Sequence, residues 1–343
     1  METGAGFDCD VVIPTHGRNP ELLAETIRSV AGQTLAPVRI LVVVDGNPPA
    51  AREIRARHPE VEVIAQPHQG VAAARQKGVD AATSRWIAFV DDDDLWLPEK
   101  QAVTARYLHE HPDCLAVRAG YWMFTAPDSP IDGLNGQTVE LRAGTLDDLL
   151  GALPDAVPLN DLSYLDIAGD SLGLMLEFNR GVIGTSVIAR ELAQALDPVP
   201  AGQQPGDDFL LFCNVAASTE WQLIPQRLLG YRVHPGQDTS RSDAEGPRQI
   251  LLAKRHAWAT LGERAPRSLA SYGRFYRADV RQFVWSQARR GRIGAAFSLY
   301  ADGLPLLPRW RDRALAAVPE PVAWRVGQVR QRLHPARTGR PPW

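Results

Sequence analysis

The sequence FVDDDDLWLPEK at residues 89–100 joins a short apolar run directly to four aspartates, Asp91 to Asp94. An apolar run that stops abruptly at charged residues is typical of a buried strand that ends at the edge of a sheet. Adjacent carboxylates repel one another unless a cation lies among their oxygens. Mg²⁺ and Mn²⁺ prefer such hard oxygen ligands. The run therefore predicts a divalent metal site at a strand end, with a solvated acidic turn as the alternative.

Three other apolar runs precede this one and are equally short, unbroken and rich in β-branched residues. Segments with helical spacing lie between them, the clearest of which begins at Asn19 and Pro20, residues suited to a cap and a first helical position. Strands that alternate with helices predict an α/β domain with a mainly parallel central sheet. The four apolar runs cover residues 11–13, 40–44, 61–64 and 86–90.

The ends of these predicted strands are the first candidates for function. In open parallel sheets, ligands bind beyond the carboxyl ends of the strands. The residues that follow the four runs at that edge are 14–16, 45–46, the region of 69–70, and 91–94.

Charge divides the rest of the chain. After a helix expected from Glu99 to His111, the pattern becomes mixed. From residue 246 to the end there are 19 Arg and Lys against 5 Asp and Glu, whereas the preceding residues carry 18 against 35. We predict a catalytic domain at 1–245, made of a nucleotide-binding half (1–115) and an acceptor-side half (116–245), and an Arg-rich, mostly helical C-terminal region at 246–343.

The basic C-terminal region is able to approach an anionic surface. That surface is a membrane with anionic headgroups, a phosphorylated acceptor or the acidic catalytic domain. Pairing between the two halves of the chain explains the asymmetry equally well. Peripheral contact with the inner face of a membrane is therefore one open alternative, and no feature indicates nucleic-acid binding.

The cysteine pattern and the hydropathy of the chain indicate the cellular compartment in which the protein is expected. Cys9, Cys114 and Cys213 are odd in number and form no C-x-x-C pair, which argues against a disulfide framework or a zinc knuckle. The N-terminus lacks the pattern of a signal peptide, and no run of 18 apolar residues occurs. These features favour a reduced, cytoplasmic location.

Four segments occur in a telling order: VVIPTHGR at 11–18, ILVVVDGNPP at 40–49, HQGVAAARQKG at 68–78, and the acidic run. Together they resemble the opening strand, the uracil-contacting strand, the glycine-arginine helix and the D-x-D motif of the family 2 glycosyltransferases, which are inverting enzymes of the GT-A type fold. The resemblance implies a UDP-sugar or TDP-sugar donor and a Mn²⁺ or Mg²⁺ cofactor.

The donor residues follow from this resemblance. Thr15 and His16 are implied to meet the nucleotide, where an imidazole can stack on a base, and Arg18 closes the same segment. Arg75 corresponds to the family arginine near the base and the diphosphate. A loop histidine and a surface arginine are the alternatives for His16 and Arg75.

Asp45 can accept the N3 hydrogen of uracil or thymine, a hydrogen that cytosine lacks. The family usually has two aspartates and a serine where this sequence has Val-Asp-Gly-Asn at 44–47. Asp45 is thus the candidate for base selectivity.

The metal ligands are also implied by the resemblance. Asp91 takes the place of the first aspartate of D-x-D, which contacts the ribose or the metal through water, and Asp93 that of the direct metal ligand. Asp92 between them joins the donor site. LLGYRVHPGQDTS at 228–240 resembles the segment whose histidine approaches the metal, which makes His234 a ligand; a plain loop histidine is the alternative.

The catalytic base is expected in QQPGDDFLLFCNV at 203–215. The family has a Glu-Asp pair there that opens a helix, and its second carboxylate is the base. Asp208 takes that position and Asp207 that of the glutamate. Carboxylates also favour helix N-termini as simple caps, which is the alternative.

These motifs predict an inverting glycosyltransferase that moves a sugar to an acceptor hydroxyl with metal assistance. An inactive nucleotide-sugar-binding module of the same fold is the alternative. A Rossmann-type oxidoreductase is disfavoured, because Pro-Thr-His-Gly at 14–17 stands where G-x-G-x-x-G would be expected. The acceptor class, whether a lipid-linked sugar, a glycan, a peptide or a natural product, stays open.

Overall fold

The structure is a computed structural model that describes residues 7–126, 141–155, 161–200, 205–234, 236–237, 245–265 and 280. The nucleotide-binding half alternates strands and helices as predicted, and each of the four apolar runs forms a strand. Its elements are β1 (Phe7–Thr15), α1 (Pro20–Ala31), β2 (Pro37–Asp45), α2 (Pro48–Arg57), β3 (Glu62–Gln66), α3 (Val71–Ala81), β4 (Trp86–Phe89), β5 (Leu95–Trp96) and α4 (Lys100–Glu110).

The second half is more mixed, with long strands separated by short helices. Its elements are β6 (Ala116–Thr125), β7 (Leu141–Arg142), α5 (Leu146–Ala152), α6 (Leu162–Leu165), α7 (Ser171–Glu177), β8 (Val187–Ala189), α8 (Arg190–Ala195), α9 (Asp207–Ala216), β9 (Gln222–Arg232) and α10 (Glu245–Leu261). Short 3-10 turns lie at Leu153–Asp155, Ile183–Thr185 and Gly262–Arg264.

The described strands form one sheet in the order β3-β2-β1-β4-β8-β6-β9-β5, with β7 beside β6. Strands β3, β2, β1 and β4 are parallel, as are β6 with β9 and β6 with β7; β8 pairs antiparallel with β4 and β6, and β5 with β9. The predicted mainly parallel sheet is confirmed. The strand order reverses between β1 and β4, and such a switch point opens a crevice at the carboxyl ends of the strands.

Both faces of the sheet are covered, which is why the apolar runs are unbroken. Alternate residues of β1 point to opposite faces: Val12 belongs to a core that includes residues of α3, α7, α9 and α10, whereas Val11 and Ile13 belong to one that includes residues of α1, α2 and α4. The three cysteines are free and buried. Among the described residues, no helix is both long and apolar enough to cross a membrane.

The sequence predicted that Asn19 caps the first helix. Asn19 lies at the N-cap position of α1, but its side chain makes no capping hydrogen bond, so the cap prediction is wrong in that detail.

Helix α10, at the start of the predicted C-terminal region, packs on the core of the preceding residues, and Trp258 donates its indole N–H to the carbonyl of Leu176 at 3.1 Å. Residues 266–279 and 281–343 of that region lie outside the described residues.

Helix α3 approaches β1 closely at Gly78, where a Cβ atom would overlap the side chain of Val12. We expect Gly78→Ala to lower the free energy of unfolding by about 1–3 kcal/mol, because overpacking outweighs the better helix propensity of alanine. Gly151 in α5 has nothing within 4 Å of such a Cβ atom. Gly151→Ala is the control and should raise stability by up to about 1 kcal/mol. Urea denaturation of both proteins measures the difference, and equal effects would contradict the close packing.

Candidate active site

The candidate site lies at the carboxyl edge of the sheet, where the strand order reverses. Thr15 ends β1, Asp45 ends β2, and the acidic run follows β4. The hydroxyl of Thr15 donates to a carboxylate oxygen of Asp92, which ties the first strand to the acidic run. Three of the predicted donor residues therefore meet at one edge, as the strand-end rule requires.

Asp45 forms one end of the site and is almost fully buried. Its Oδ1 accepts hydrogen bonds from the side chain of Gln66 at 2.9 Å and from the backbone N–H of Gln69 at 2.8 Å. Its Oδ2 accepts the backbone N–H of Gly70 at 2.9 Å and lies 2.8 Å from Nδ1 of His68. Burial alone would raise the pKa of Asp45, but these donors outweigh it and hold the pKa below its usual value. Asp45 is therefore a fixed anionic acceptor.

Two imidazoles flank this carboxylate. Nδ1 of His16 lies 3.1 Å from the carbonyl oxygen of Asp45 and 3.6 Å from its Oδ2, and the rings of His16 and His68 are 5.1 Å apart. The sequence prediction missed His68, although it follows β3 by two positions. Among the described residues, the three ligand-type groups whose atoms lie within 4.8 Å of one another are His16, Asp45 and His68. Arg18 is exposed next to this end of the site.

Arg75 forms the centre of the site. It projects from α3, is only 8% exposed, and contacts Asp91 at 2.5 Å with one guanidinium nitrogen and Asp207 with the other. Burial disfavours the cation, but these two carboxylates outweigh it and raise the pKa of Arg75. The alternative of a plain surface arginine is excluded. Arg75 joins the acidic run after β4 to the start of α9.

Burial dominates the proton affinities of the acidic run. Burial and the charge of Asp93 raise the pKa of Asp92 to about 7, although the Thr15 hydroxyl opposes the shift. Asp94 is fully buried, and burial with the charges of Asp93 and Asp91 raises its pKa. Burial likewise raises the pKa of Asp91, against the attraction of Arg75. Asp91, Asp92 and Asp94 therefore hold protons more readily than ordinary aspartates do.

Asp93 and His234 lie side by side at the outer end of the run. Nε2 of His234 is 2.9 Å from Oδ2 of Asp93, and both side chains are about one fifth exposed, at 17% and 22%. Carboxylate oxygens suit both Mn²⁺ and Mg²⁺, whereas an imidazole nitrogen is a ligand for transition metals, so of the two expected metals this pair fits Mn²⁺ better. Asp91 is engaged by Arg75 instead, and its predicted role as a ligand stays a prediction.

Arg232, next but one to His234, anchors this pair and was missed by the sequence prediction. Its Nε donates to the carbonyl of Asp93 at 2.8 Å, and its Nη2 donates to Glu25 at 2.6 Å. Its backbone N–H donates to Asp94 at 2.9 Å. The end of β9 is thereby fixed against the acidic run, and its position in the quoted segment 228–240 was the available signal.

Asp207 and Asp208, the carboxylates predicted to include the catalytic base, are the first two residues of α9. The preceding residue, Gly206, adopts a φ of 105° that favours glycine. Asp207 is buried and turned toward Arg75; burial and the charges of Asp208 and Asp91 raise its pKa to about 7, against the attraction of Arg75. Asp208 is half-buried and accepts the side-chain N–H of Asn179 at 2.9 Å. The two carboxylates therefore face different partners and cannot play the same part.

The raised pKa values of Asp92 and Asp207 make a prediction about stability. The folded protein binds protons that the unfolded chain releases between about pH 4 and pH 7, so stability falls as pH rises through this window. We expect the free energy of unfolding without divalent cations to drop by about 1–3 kcal/mol from pH 5 to pH 7.5. Asp92→Asn should reduce this drop, whereas Asp8→Asn, at an exposed position, should keep it. An unchanged drop in Asp92→Asn, measured by urea denaturation, would disprove the assignment.

An α/β sheet with an acidic run, a buried arginine and a second carboxylate pair at one edge is the arrangement that the sequence motifs predicted for a glycosyltransferase. Residues 10–134 match the family described as Glycosyl transferase family 2. The chain therefore carries a family 2 glycosyltransferase domain over these residues.

One relative is similar to this chain over most of its length, and another over about a quarter of it. The succinoglycan biosynthesis protein ExoW of Rhizobium meliloti (strain 1021) is 26% identical over 321 residues, which cover 89% of this chain and 94% of that protein. The uncharacterized glycosyltransferase EpsJ of Bacillus subtilis (strain 168) is 35% identical over 88 residues, or 24% of this chain and 25% of that protein. This second match thus covers about a quarter of each protein.

Solved structures share the fold. The crystal structure of S. aureus TarS 1–349 in complex with UDP-GlcNAc superposes with a TM-score of 0.51 at 13% identity, over 93% of this chain and 92% of that one. At this identity the likeness concerns the architecture. It agrees with the GT-A type fold expected from the four motifs.

Proposed function

We propose that the protein transfers a sugar from a uridine diphosphate sugar to an acceptor hydroxyl with inversion at the anomeric carbon. The observation that carries the proposal is the contact of Arg75 with both Asp91 and Asp207. It brings the donor-side acidic run and the carboxylates of α9 into one site. A single transfer reaction needs these two parts together.

Asp45 would recognise the base by accepting its N3 hydrogen, a hydrogen that both uracil and thymine carry. Both oxygens of Asp45 already accept two donors each, so the base has to displace one of them. His68 is the donor that can leave, because its side chain is 68% exposed. The complex of TarS with UDP-GlcNAc supports uridine as the base.

Asp93 and His234 would hold Mn²⁺ or Mg²⁺. When bound, the metal supplies positive charge that offsets the diphosphate of the leaving group. Arg232 would hold the carbonyl of Asp93 with its guanidinium and the carboxylate of Asp94 with its backbone N–H, which keeps the end of β9 that precedes His234 beside the acidic run. Arg75 keeps Asp91 and Asp207 from repelling one another beneath the donor.

Asp208 would act as the general base. The bond from the anomeric carbon to the diphosphate oxygen breaks, and uridine diphosphate departs with the electron pair. The acceptor oxygen bonds to the opposite face of the same carbon while its proton passes to Asp208. Attack from that face inverts the configuration, and no covalent enzyme intermediate forms.

The acceptor is proposed to be a saccharide, because ExoW, which aligns over most of this chain, is a succinoglycan biosynthesis protein. Membrane contact by the basic region at 246–343 remains a prediction, since most of that region lies outside the described residues. Release of UDP from a panel of UDP-sugars, with saccharides or water as acceptor, tests the reaction. Binding without turnover across the panel would favour the inactive-module alternative.

The metal assignment predicts the behaviour of Asp93→Asn. We expect UDP with Mn²⁺ to raise the thermal midpoint of the wild-type protein more than UDP with EDTA, because a ligand stabilises the state that binds it. In Asp93→Asn this metal-dependent increment should vanish. The control is Asp147→Asn, at an exposed position of α5, which should keep it. An increment of normal size in Asp93→Asn would refute the assignment.

A further inference from the structure

The carboxylate of Asp208 rests against a loop, residues 178–182, that joins α7 to the 3-10 turn at Ile183–Thr185. Nδ2 of Asn179 donates to Oδ2 of Asp208 at 2.9 Å, and Oδ1 of Asn179 accepts the backbone N–H of Gly181 at 3.2 Å. Because a backbone donor occupies its oxygen, the amide has to turn its NH₂ group toward Asp208. The orientation of Asn179 is therefore set by the loop itself.

Asp208 is in turn held at both oxygens. Its Oδ1 accepts the backbone N–H of Phe209 at 2.7 Å, and its Oδ2 accepts Asn179. Each carboxylate oxygen has two lone pairs, so each keeps one for another partner. The preceding residue, Asp207, turns to Arg75 instead. The remaining lone pairs of Asp208 thus point in a direction that Asn179 and the helix backbone fix together.

The loop that carries Asn179 is hydrogen-bonded to a buried arginine. Arg118 in β6 is 1% exposed and donates to the carbonyl of Arg180 at 2.9 Å and to the carbonyl of Leu165. Burial lowers the pKa of Arg118 to about 10. A Cβ atom on Gly181 would lie 3.2 Å from Nη1 of Arg118, so the loop sits directly on the guanidinium.

Placing the charged guanidinium of Arg118 beneath this loop costs folding free energy. In the described part of the chain, the guanidinium of Arg118 bonds to carbonyl oxygens and forms no ion pair with a carboxylate. Burying a charge without an opposite charge destabilises a fold. A rigid loop beside the base is what this arrangement provides, because functional groups need supporting contacts to hold a productive geometry.

We propose that Asn179 is a positioning residue, which orients Asp208 toward the acceptor hydroxyl, and that Arg118 fixes the loop that presents it. The proposal rests on the proposed role of Asp208 as the base. Proton transfer in the reaction depends on the direction of the accepting lone pair as well as on its presence. Asn179 acts on the acceptor half of the reaction and leaves the donor site untouched.

The test compares Asn179→Ala with the control Asn214→Ala, which removes an amide from the exposed side of α9. The donor is whichever UDP-sugar of the panel gives the fastest UDP release. We expect Asn179→Ala to lower kcat about tenfold to a hundredfold, a part of the roughly 10² to 10⁴ that a base supplies. The KM for the donor, the affinity for UDP and the thermal midpoint should stay close to the wild-type values, and Asn214→Ala should match the wild type throughout.

A kcat within twofold of the wild type would overturn the proposal. So would a fall in kcat that is matched by a fall in UDP affinity and thermal midpoint, because that pattern marks a structural role. The double variant Asn179→Ala with Asp208→Asn should be no slower than Asp208→Asn alone, since residues that act through one another are not additive. If Asp208→Asn itself keeps normal activity, the base assignment fails; if only Asn179→Ala does, the positioning role alone fails.

Discussion

Asp208→Asn should abolish most sugar transfer, with kcat lowered by about a hundredfold to ten-thousandfold, the range that a general base contributes. The asparagine has the same size and keeps an oxygen that can accept the backbone N–H of Phe209, so the start of α9 should stay intact. In the proposed function the nucleotide binds at Asp45, away from Asp208, so the affinity for UDP should not change. UDP release and UDP binding, measured on the same protein, separate these two effects.

The matched control is Asp197→Asn, at an exposed position ahead of α9, which should transfer sugar at the wild-type rate. A transfer rate in Asp208→Asn within a few-fold of the wild type would eliminate Asp208 as the base. Asp207 would then become the candidate for the general base. Its contact with Arg75 and its pKa of about 7 make it the next carboxylate to examine.

The second large effect is expected for Arg75→Met, which should lower the free energy of unfolding by about 3–5 kcal/mol near neutral pH. This is the range found when one partner of a buried ion pair is removed. Methionine fills much of the space, so the loss reports mainly on the two carboxylates left without a counter-charge. Denaturant titration at pH 7.5 measures it.

An exposed ion pair provides the comparison. Arg57 contacts Glu53 at 2.9 Å on the surface of α2, and both side chains are at least half exposed. Arg57→Met should change stability by no more than about 1 kcal/mol, because solvent screens such pairs. Equal losses in the two variants would mean that Arg75 contributes no more than a surface arginine, and that the site is not held together through it.

Arg75 also shows which features of the site can be predicted from the sequence and which cannot. The motif HQGVAAARQKG at 68–78 identified the residue and placed it near the donor, and that prediction named no protein partner for it. The structure pairs it with Asp207, 132 positions away in the chain. No local pattern encodes such a distance, because the two residues meet only when α9 packs across the sheet beside α3.

His68 and Asn179 escaped the sequence prediction for a similar reason. Each is a single polar residue in a loop, and a loop residue of this kind has no periodicity that marks it. His68 becomes notable only because β2 and β3 end side by side, which sets it 2.8 Å from Asp45. Asn179 becomes notable only because its loop returns to the start of α9.

The sequence by itself determined the α/β class, the four parallel strands of the first half and the carboxylates at their ends. These properties are local, since unbroken apolar runs and the charged residues that stop them are read within a few positions. Tertiary structure alone decided which carboxylate faces Arg75, which faces Asn179 and which lies beside His234. Those choices depend on how distant elements pack, because side-chain contacts and burial, which set the charge of each group, exist only in the folded chain.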